Sequence, residues 1–129
     1  MILGIGTDIV EIKHFKSILK KTPSVIQRVF TKEERNVANQ LATSRRMAYY
    51  AKRYAAKEAL SKACGTGIGT AVGWQDLEIL NNEEGAPIVN LSSKAVQFLK
   101  KKYQAKKIKL FISLSDEKEV VIAFAVLSK

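Results

Sequence analysis

At 129 residues, 47% hydrophobic and 26% charged, the chain has the make-up of one compact globular domain, residues 1–129, that buries a core without disulfides or a structural metal. Its formal net charge of +10 argues for an anionic partner: nucleic acid, anionic lipid, a phosphorylated cofactor or an acidic protein. No apolar run is long enough to span a bilayer, no basic flank or cleavage site marks a secretion signal, and the single cysteine, Cys64, excludes an internal disulfide, so the expected compartment is the cytoplasm.

Residues 2–12 are rich in Ile and Val and predict a strand, interrupted near Gly4 and Gly6. Asp8 breaks its apolar pattern. The residues leave three roles open for it: capping a turn, since Gly6-Thr7-Asp8 is turn-prone, pairing with a base, or binding a cation. Phe15, Ile18 and Leu19 then recur at helical spacing, with Lys13, Lys16 and Lys20 outward, and Thr22-Pro23 ends that helix. Thr31-Lys32-Glu33-Glu34 has the form of a capping box, so a second helix starts there.

Ser44 to Cys64 is the longest helical pattern, free of Gly and Pro, and Gly65 stops it. Glu58 and Lys62, four apart, share one face with Ala51, Ala55 and Ala59. Spacing alone favours a surface ion pair worth about 0.3–0.5 kcal/mol, although a carboxylate beside small residues also leaves room for a ligand. Asp8 and Glu58 together offer two hard oxygen ligands, the kind Mg²⁺ takes before completing its shell with water and substrate phosphates. Cys64 reads as a buried, inert thiol, because no His is near it in sequence.

The stretch Gly65-Thr66-Gly67-Ile68-Gly69 is a loop that could bring backbone N–H groups to a phosphate, but it lacks the Lys-Ser/Thr of a Walker A loop and follows a helix. Trp74–Leu80 and Pro87–Leu91 predict strands around a turn at Asn81–Gly85. Ser92 or Ser93 caps a helix with Val96, Leu99 and Tyr103 inward. Strands at Ile108–Leu114 and Val120–Leu127 complete an α+β chain with a small antiparallel sheet and one long helix.

The positive charge falls in acid-free blocks: six Lys/Arg in Ile12–Lys32, five in Asn36–Lys57 and seven in Leu91–Ile112. A small basic α+β module that binds nucleic acid without catalysis is one reading of these blocks. Against it, aromatic residues are few and not interleaved with the basic runs.

Four segments, taken in order, carry a resemblance: GIGTDIVEI (4–12), FTKEE (30–34), KRYAAKEALSKACGTGIG (52–69) and Gly-x-Pro (85–87). In sequence and spacing they resemble the holo-acyl-carrier-protein synthases of the 4′-phosphopantetheinyl transferase superfamily. The resemblance implies an enzyme of fatty acid biosynthesis that transfers 4′-phosphopantetheine from coenzyme A to a serine of an acidic acyl carrier protein, releasing 3′,5′-ADP. It implies that Asp8 and Glu58 bind Mg²⁺, that Lys62 neutralises phosphate charge, and that Glu58, directly or through metal-bound water, takes the serine proton. Coenzyme A is expected to meet Lys62, Gly65, Gly85, Pro87, Ser115 and Asp116. The carrier is expected on Lys13, His14, Lys20, Lys21 and Arg28.

The family's assembly is a homotrimer with sites at subunit interfaces, where the neighbour supplies the 85–87 turn and the 113–116 segment. No nucleic acid and no membrane enter this reading. Three positions depart from the family's usual residues: His14 stands for Arg, Ala86 for Lys and Asp116 for His. Asp116 either repels a phosphate, pairs with a nearby Lys or accepts from adenine. The metal residues are intact, so the expectation is retained chemistry with altered affinity or carrier preference. The same departures give what support there is to an inactive homologue kept as a scaffold.

Overall fold

A computed structural model describes residues 1–129. Strand β1 (Ile2–Glu11) runs directly into helix α1 (Ile12–Lys21), followed by α2 (Val25–Val29), α3 (Lys32–Gln40) and the long α4 (Thr43–Ala63). A single 3₁₀ turn, Trp74–Asp76, leads into the hairpin of β2 (Leu77–Asn81) and β3 (Pro87–Leu91); α5 (Ser93–Lys102) and a second hairpin, β4 (Lys109–Asp116) with β5 (Val120–Ser128), complete the chain. The α+β expectation holds.

The main sheet is antiparallel in the order β1-β5-β4, and β2 pairs only with β3. Register fixes its two faces, because directly opposed residues point the same way. Asp8 opposes Ala123 and Gly6 opposes Ala125, while Leu114 and Ile112 oppose the same two alanines. This face packs on α4, and Val121, Ala123, Ala125 and Leu127 are buried there. Ile9 opposes Ile122 and Thr7 opposes Phe124 on the other face, which carries exposed Ile5, Ile9, Phe111, Ile122 and Phe124.

Small residues on both sides let α4 lie close to the sheet. Ala55, Ala59 and Ala63 of the helix are buried against it, and the glycines of β1 complete the fit. The opposite side of α4 meets an aromatic cluster: Phe15 of α1 packs 5.4 Å from Tyr54, Tyr54 stacks on Trp74 at 5.2 Å, and Phe30 lies 4.6 Å from Tyr50. The cluster fixes α1 and α2 relative to the helix that carries Glu58.

Two predicted boundaries move. The first strand is unbroken through Gly6, with one irregularity between Ile2 and Gly4, because these glycines serve close packing and not a turn. The strand expected from Trp74 begins at Leu77, since the Asp76 carboxylate accepts from the Gly73 N–H at 2.7 Å and closes a turn first. The Thr31 capping box forms as expected, with both reciprocal bonds present, and Ser92 caps α5.

Candidate active site

The site begins with the alternation of β1. Gly4, Gly6 and Asp8 share the face turned toward α4. A Cβ at Gly4 would fall 2.0 Å from the carbonyl oxygen of Ala63, and one at Gly6 would fall 2.0 Å from that of Ala59. Only glycine permits this approach. Two strand residues advance about 6.7 Å and four helical residues about 6 Å, so the strand and the antiparallel helix keep step. Moving on from Gly6 to Asp8 reaches the turn of α4 that holds Ala55 and Glu58.

The electrostatics agree with that placement. Lys62 Nζ donates to the Thr7 carbonyl at 2.9 Å and to Asp8 Oδ1 at 3.3 Å. Burial pushes the Glu58 carboxyl up, the Asp8 charge pushes it further, and Lys62 pulls it back. Burial likewise raises Tyr54, one turn before Glu58, with Glu58 and then Asp8 adding to it. Lys62 thus touches Asp8, and Glu58 lies within electrostatic reach of both.

Two simpler expectations fail here. Asp8 sits within β1 and not in a turn, because Gly6 is held extended under α4. Lys62 pairs with Asp8 and not with Glu58: the strand brings a carboxylate that helical spacing alone does not reveal.

The chemistry of the donor set suits one kind of cation. Two mutually repelling carboxylates gain from a positive charge between them, and no cluster of three or more His, Cys, Asp or Glu side chains exists in the chain. A metal held here would take most of its shell from water and ligand oxygens. That fits Mg²⁺ and does not fit a closed zinc or calcium cage.

Lys57, adjacent to Glu58, is a feature the sequence reading missed. It is completely buried and donates to Val29 O at 2.6 Å, to Glu34 Oε1 at 2.7 Å and to Trp74 O at 3.0 Å. Glu34 also accepts from the N–H groups of Ile79 and Thr31. Burial lowers the Lys57 pKa and the Glu34 charge partly restores it. The pair ties α2, α3, β2 and the 3₁₀ turn to the segment of α4 that carries Glu58. Nothing local marked it, since Lys57 lies on the aromatic side of α4, away from the alanines that meet the sheet, and its partners Val29, Glu34 and Trp74 come from other elements.

The other residues expected to meet coenzyme A lie elsewhere on the chain. Gly85 and Pro87 are in the β2–β3 hairpin, and Ser115 and Asp116 end β4. Asp116 lines a groove of about 390 Å³ with Ser44, Arg45, Tyr49, Lys52, Arg53 and others, including Asn81 next to the hairpin turn. Asp8, Glu58 and Lys62 are not part of its wall. Arg53 is fixed there: its guanidinium lies 4.1 Å over the Tyr49 ring and donates to Asn81 Oδ1 at 3.1 Å. The Tyr49 hydroxyl is buried without a hydrogen-bond partner. Asp116 pairs with Lys52 at 3.3 Å, one of the three roles open to it.

Gly65 follows the last turn of α4 with φ +74°, and Lys102 and Tyr103 of the α5 end both donate to the Cys64 carbonyl. Cys64 is buried, and burial pushes its thiol up to about 11. It is inert at neutral pH. Lys13, His14, Lys20, Lys21 and Arg28 lie along α1 and α2, and all five are exposed. Helix α1 begins immediately after the strand that carries Asp8.

Comparison with known proteins follows the same lines. Residues 4–125 match the sequence profile of the 4′-phosphopantetheinyl transferase superfamily. A holo-[acyl-carrier-protein] synthase from Halalkalibacterium halodurans is 36% identical, covering 100% of this chain and 98% of that protein. The crystal structure of a holo-[acyl-carrier-protein] synthase from Neisseria meningitidis superposes with a TM-score of 0.89 at 37% identity, covering 100% of both chains. A holo-(acyl-carrier-protein) synthase from Bacillus anthracis in complex with CoA (3′,5′-ADP) gives a TM-score of 0.81 at 39% identity, over 98% of this chain and 96% of that one.

Proposed function

The chain belongs to the 4′-phosphopantetheinyl transferase superfamily, and on that footing we propose that it moves 4′-phosphopantetheine from coenzyme A to a serine of apo acyl carrier protein, releasing 3′,5′-ADP. Residues 1–129 act as one transferase domain. The observation that carries the reading is the meeting of Asp8, Glu58 and Lys62 from two elements distant in sequence. A module that only held nucleic acid would gain nothing from two repelling carboxylates in a basic protein.

Asp8 and Glu58 hold Mg²⁺, which when bound neutralises charge on the diphosphate of coenzyme A. Lys62 exchanges its contact with Asp8 for the phosphate oxygens and offsets charge as the bond to 3′,5′-ADP breaks. The serine oxygen attacks the phosphorus that bears pantetheine, in line with the departing ADP oxygen. Glu58 accepts the serine proton, directly or through a water. Coenzyme A also contacts Gly65 beside Lys62. Gly85, Pro87, Ser115 and Asp116 reach it from a neighbouring subunit, where the groove lined by Arg45, Lys52 and Arg53 receives anionic parts of the nucleotide.

The outer face of the main sheet supports assembly into a homotrimer. Ile9 is 65% exposed and Phe124 45%, and with Ile5, Phe111 and Ile122 they form an apolar surface that a second copy would cover. The acidic carrier docks on Lys13, His14, Lys20, Lys21 and Arg28. The buried free thiol fits a reducing compartment, here the cytoplasm, and no helix is long and apolar enough to cross a membrane.

The test is transfer itself. Incubation of the protein with apo carrier, coenzyme A and Mg²⁺ gives a mass increase of one phosphopantetheine on the carrier. Omission of metal, or Glu58→Gln, abolishes it. Wild-type protein that leaves every apo carrier unmodified at saturating coenzyme A and metal overturns the reading.

A further inference from the structure

Asp116 is a lone carboxylate in a cationic groove. The wall holds Arg45, Lys52 and Arg53. Arg45 pairs with no carboxylate, and Arg53 is directed at Ile79 O and Asn81 Oδ1. Lys52 alone has its charge neutralised, by Asp116 at 3.3 Å. Both partners are partly open to solvent, with side-chain exposures of 30% and 44%, so the pair contributes little to the fold and opens readily.

We infer that Asp116 is a brake on nucleotide binding: it ties up Lys52 and sets a negative charge where the ligand brings its own. This rests on the reading of the groove as the nucleotide's site. Its position serves that role. Asp116 ends β4 on the face turned toward α4, opposite buried Val121, so its carboxylate reaches across to Lys52 while staying partly open to solvent. A phosphate entering the groove must compete with that carboxylate for the lysine and bear its repulsion. Arg45 and Arg53 supply the attraction that remains. The brake lowers affinity for substrate and for the product 3′,5′-ADP alike, which favours product release where that step limits turnover.

The experiment titrates 3′,5′-ADP calorimetrically into the full-length wild-type protein and into Asp116→Asn, Lys52→Ala, the double variant and Arg45→Ala. Asp116→Asn binds roughly two- to fivefold more tightly, the scale of one partly exposed charge interaction, with a steeper loss of affinity in salt. In the Lys52→Ala background the gain falls by at least about half, because the lysine that Asn releases is gone.

Arg45→Ala weakens binding and reports on the groove independently. If Arg45→Ala weakens binding but Asp116→Asn leaves it equal or weaker, the brake is overturned and the groove stands. A gain from Asp116→Asn that survives undiminished without Lys52 overturns the pairing. If neither Arg45→Ala nor Asp116→Asn changes binding, the nucleotide lies elsewhere and both readings fall.

Discussion

Gly6 lies directly beneath the carbonyl of Ala59, so closely that a methyl group on it would come within 2.0 Å of that oxygen. The same methyl carbon would meet the Ala63 nitrogen at 2.7 Å, so the obstruction is backbone and cannot swing aside. Gly6→Ala must push β1 away from α4. Asp8 rides on the next inward position of the same strand. Overpacking of this kind costs about 1–3 kcal/mol or more, and chemical denaturation will show that loss. Transfer activity should fall further than the unfolded fraction explains, because the strand carries Asp8 away from Glu58. Near-native activity in a folded Gly6→Ala protein would separate the strand–helix contact from catalysis.

Asp8 and Glu58 are coupled through their charges, and the sign of that coupling can be checked. Burial raises the Glu58 carboxyl first, and Asp8 raises it further. Asp8→Asn removes the second push and frees Lys62, so Glu58 titrates at a lower pH than in the wild type. Carbon-detected NMR of the metal-free protein, following the Glu58 carboxyl through a pH series, reads this directly. An unmoved or raised Glu58 would mean that the two side chains do not share a site. With Mg²⁺ and coenzyme A present, the same substitution should lower transfer by roughly a hundredfold or more, the scale seen when a charge-stabilising group is lost.

Lys57 and Glu34 form the one ion pair in which both side chains are wholly buried. Lys57→Met leaves Glu34 charged in the core and costs about 3–5 kcal/mol. Adding Glu34→Gln removes the stranded charge, so the double variant should be more stable than Lys57→Met alone. Urea unfolding of the four proteins measures the coupling. Independent, additive losses would show that the pair is held by packing and not by its charges.

What could be read in advance divides along a physical line. The helix starts at Thr31 and Ser92 and the stop at Gly65 are local signals, each set by a cap or a left-handed residue within one turn, and they were legible. The meeting of Asp8 with Glu58 and Lys62 was not. It depends on two glycines letting a strand settle on a helix fifty positions later in the chain, a tertiary event that spacing does not encode. The family resemblance supplied that pairing; the residues alone left it among turns and surface ion pairs. Lys57 went unread because a Lys-Glu pair on a helix has the form of a solvated face, and only its partner Glu34, already assigned to a cap, shows why it is buried. The Lys52–Asp116 contact joins a helix to the end of a strand from the last quarter of the sequence. It too exists only in the folded chain.

The apolar outer face of the sheet makes a prediction about assembly that also tests the catalytic geometry. Ile122 and Ile9 oppose each other across β5 and β1, exposed on the face turned away from α4. Ile122→Asp places a carboxylate in the middle of that face without touching the core, so the subunit should fold normally by circular dichroism. Its mass by light scattering should fall to that of the 14.3 kDa monomer, where the wild type gives three times as much. Transfer should be lost with it. The proposed site takes its metal residues from one subunit and its nucleotide groove from the neighbour, so a monomer would present only half of it to coenzyme A. A monomeric Ile122→Asp protein with full activity would mean that the metal residues work without a neighbour.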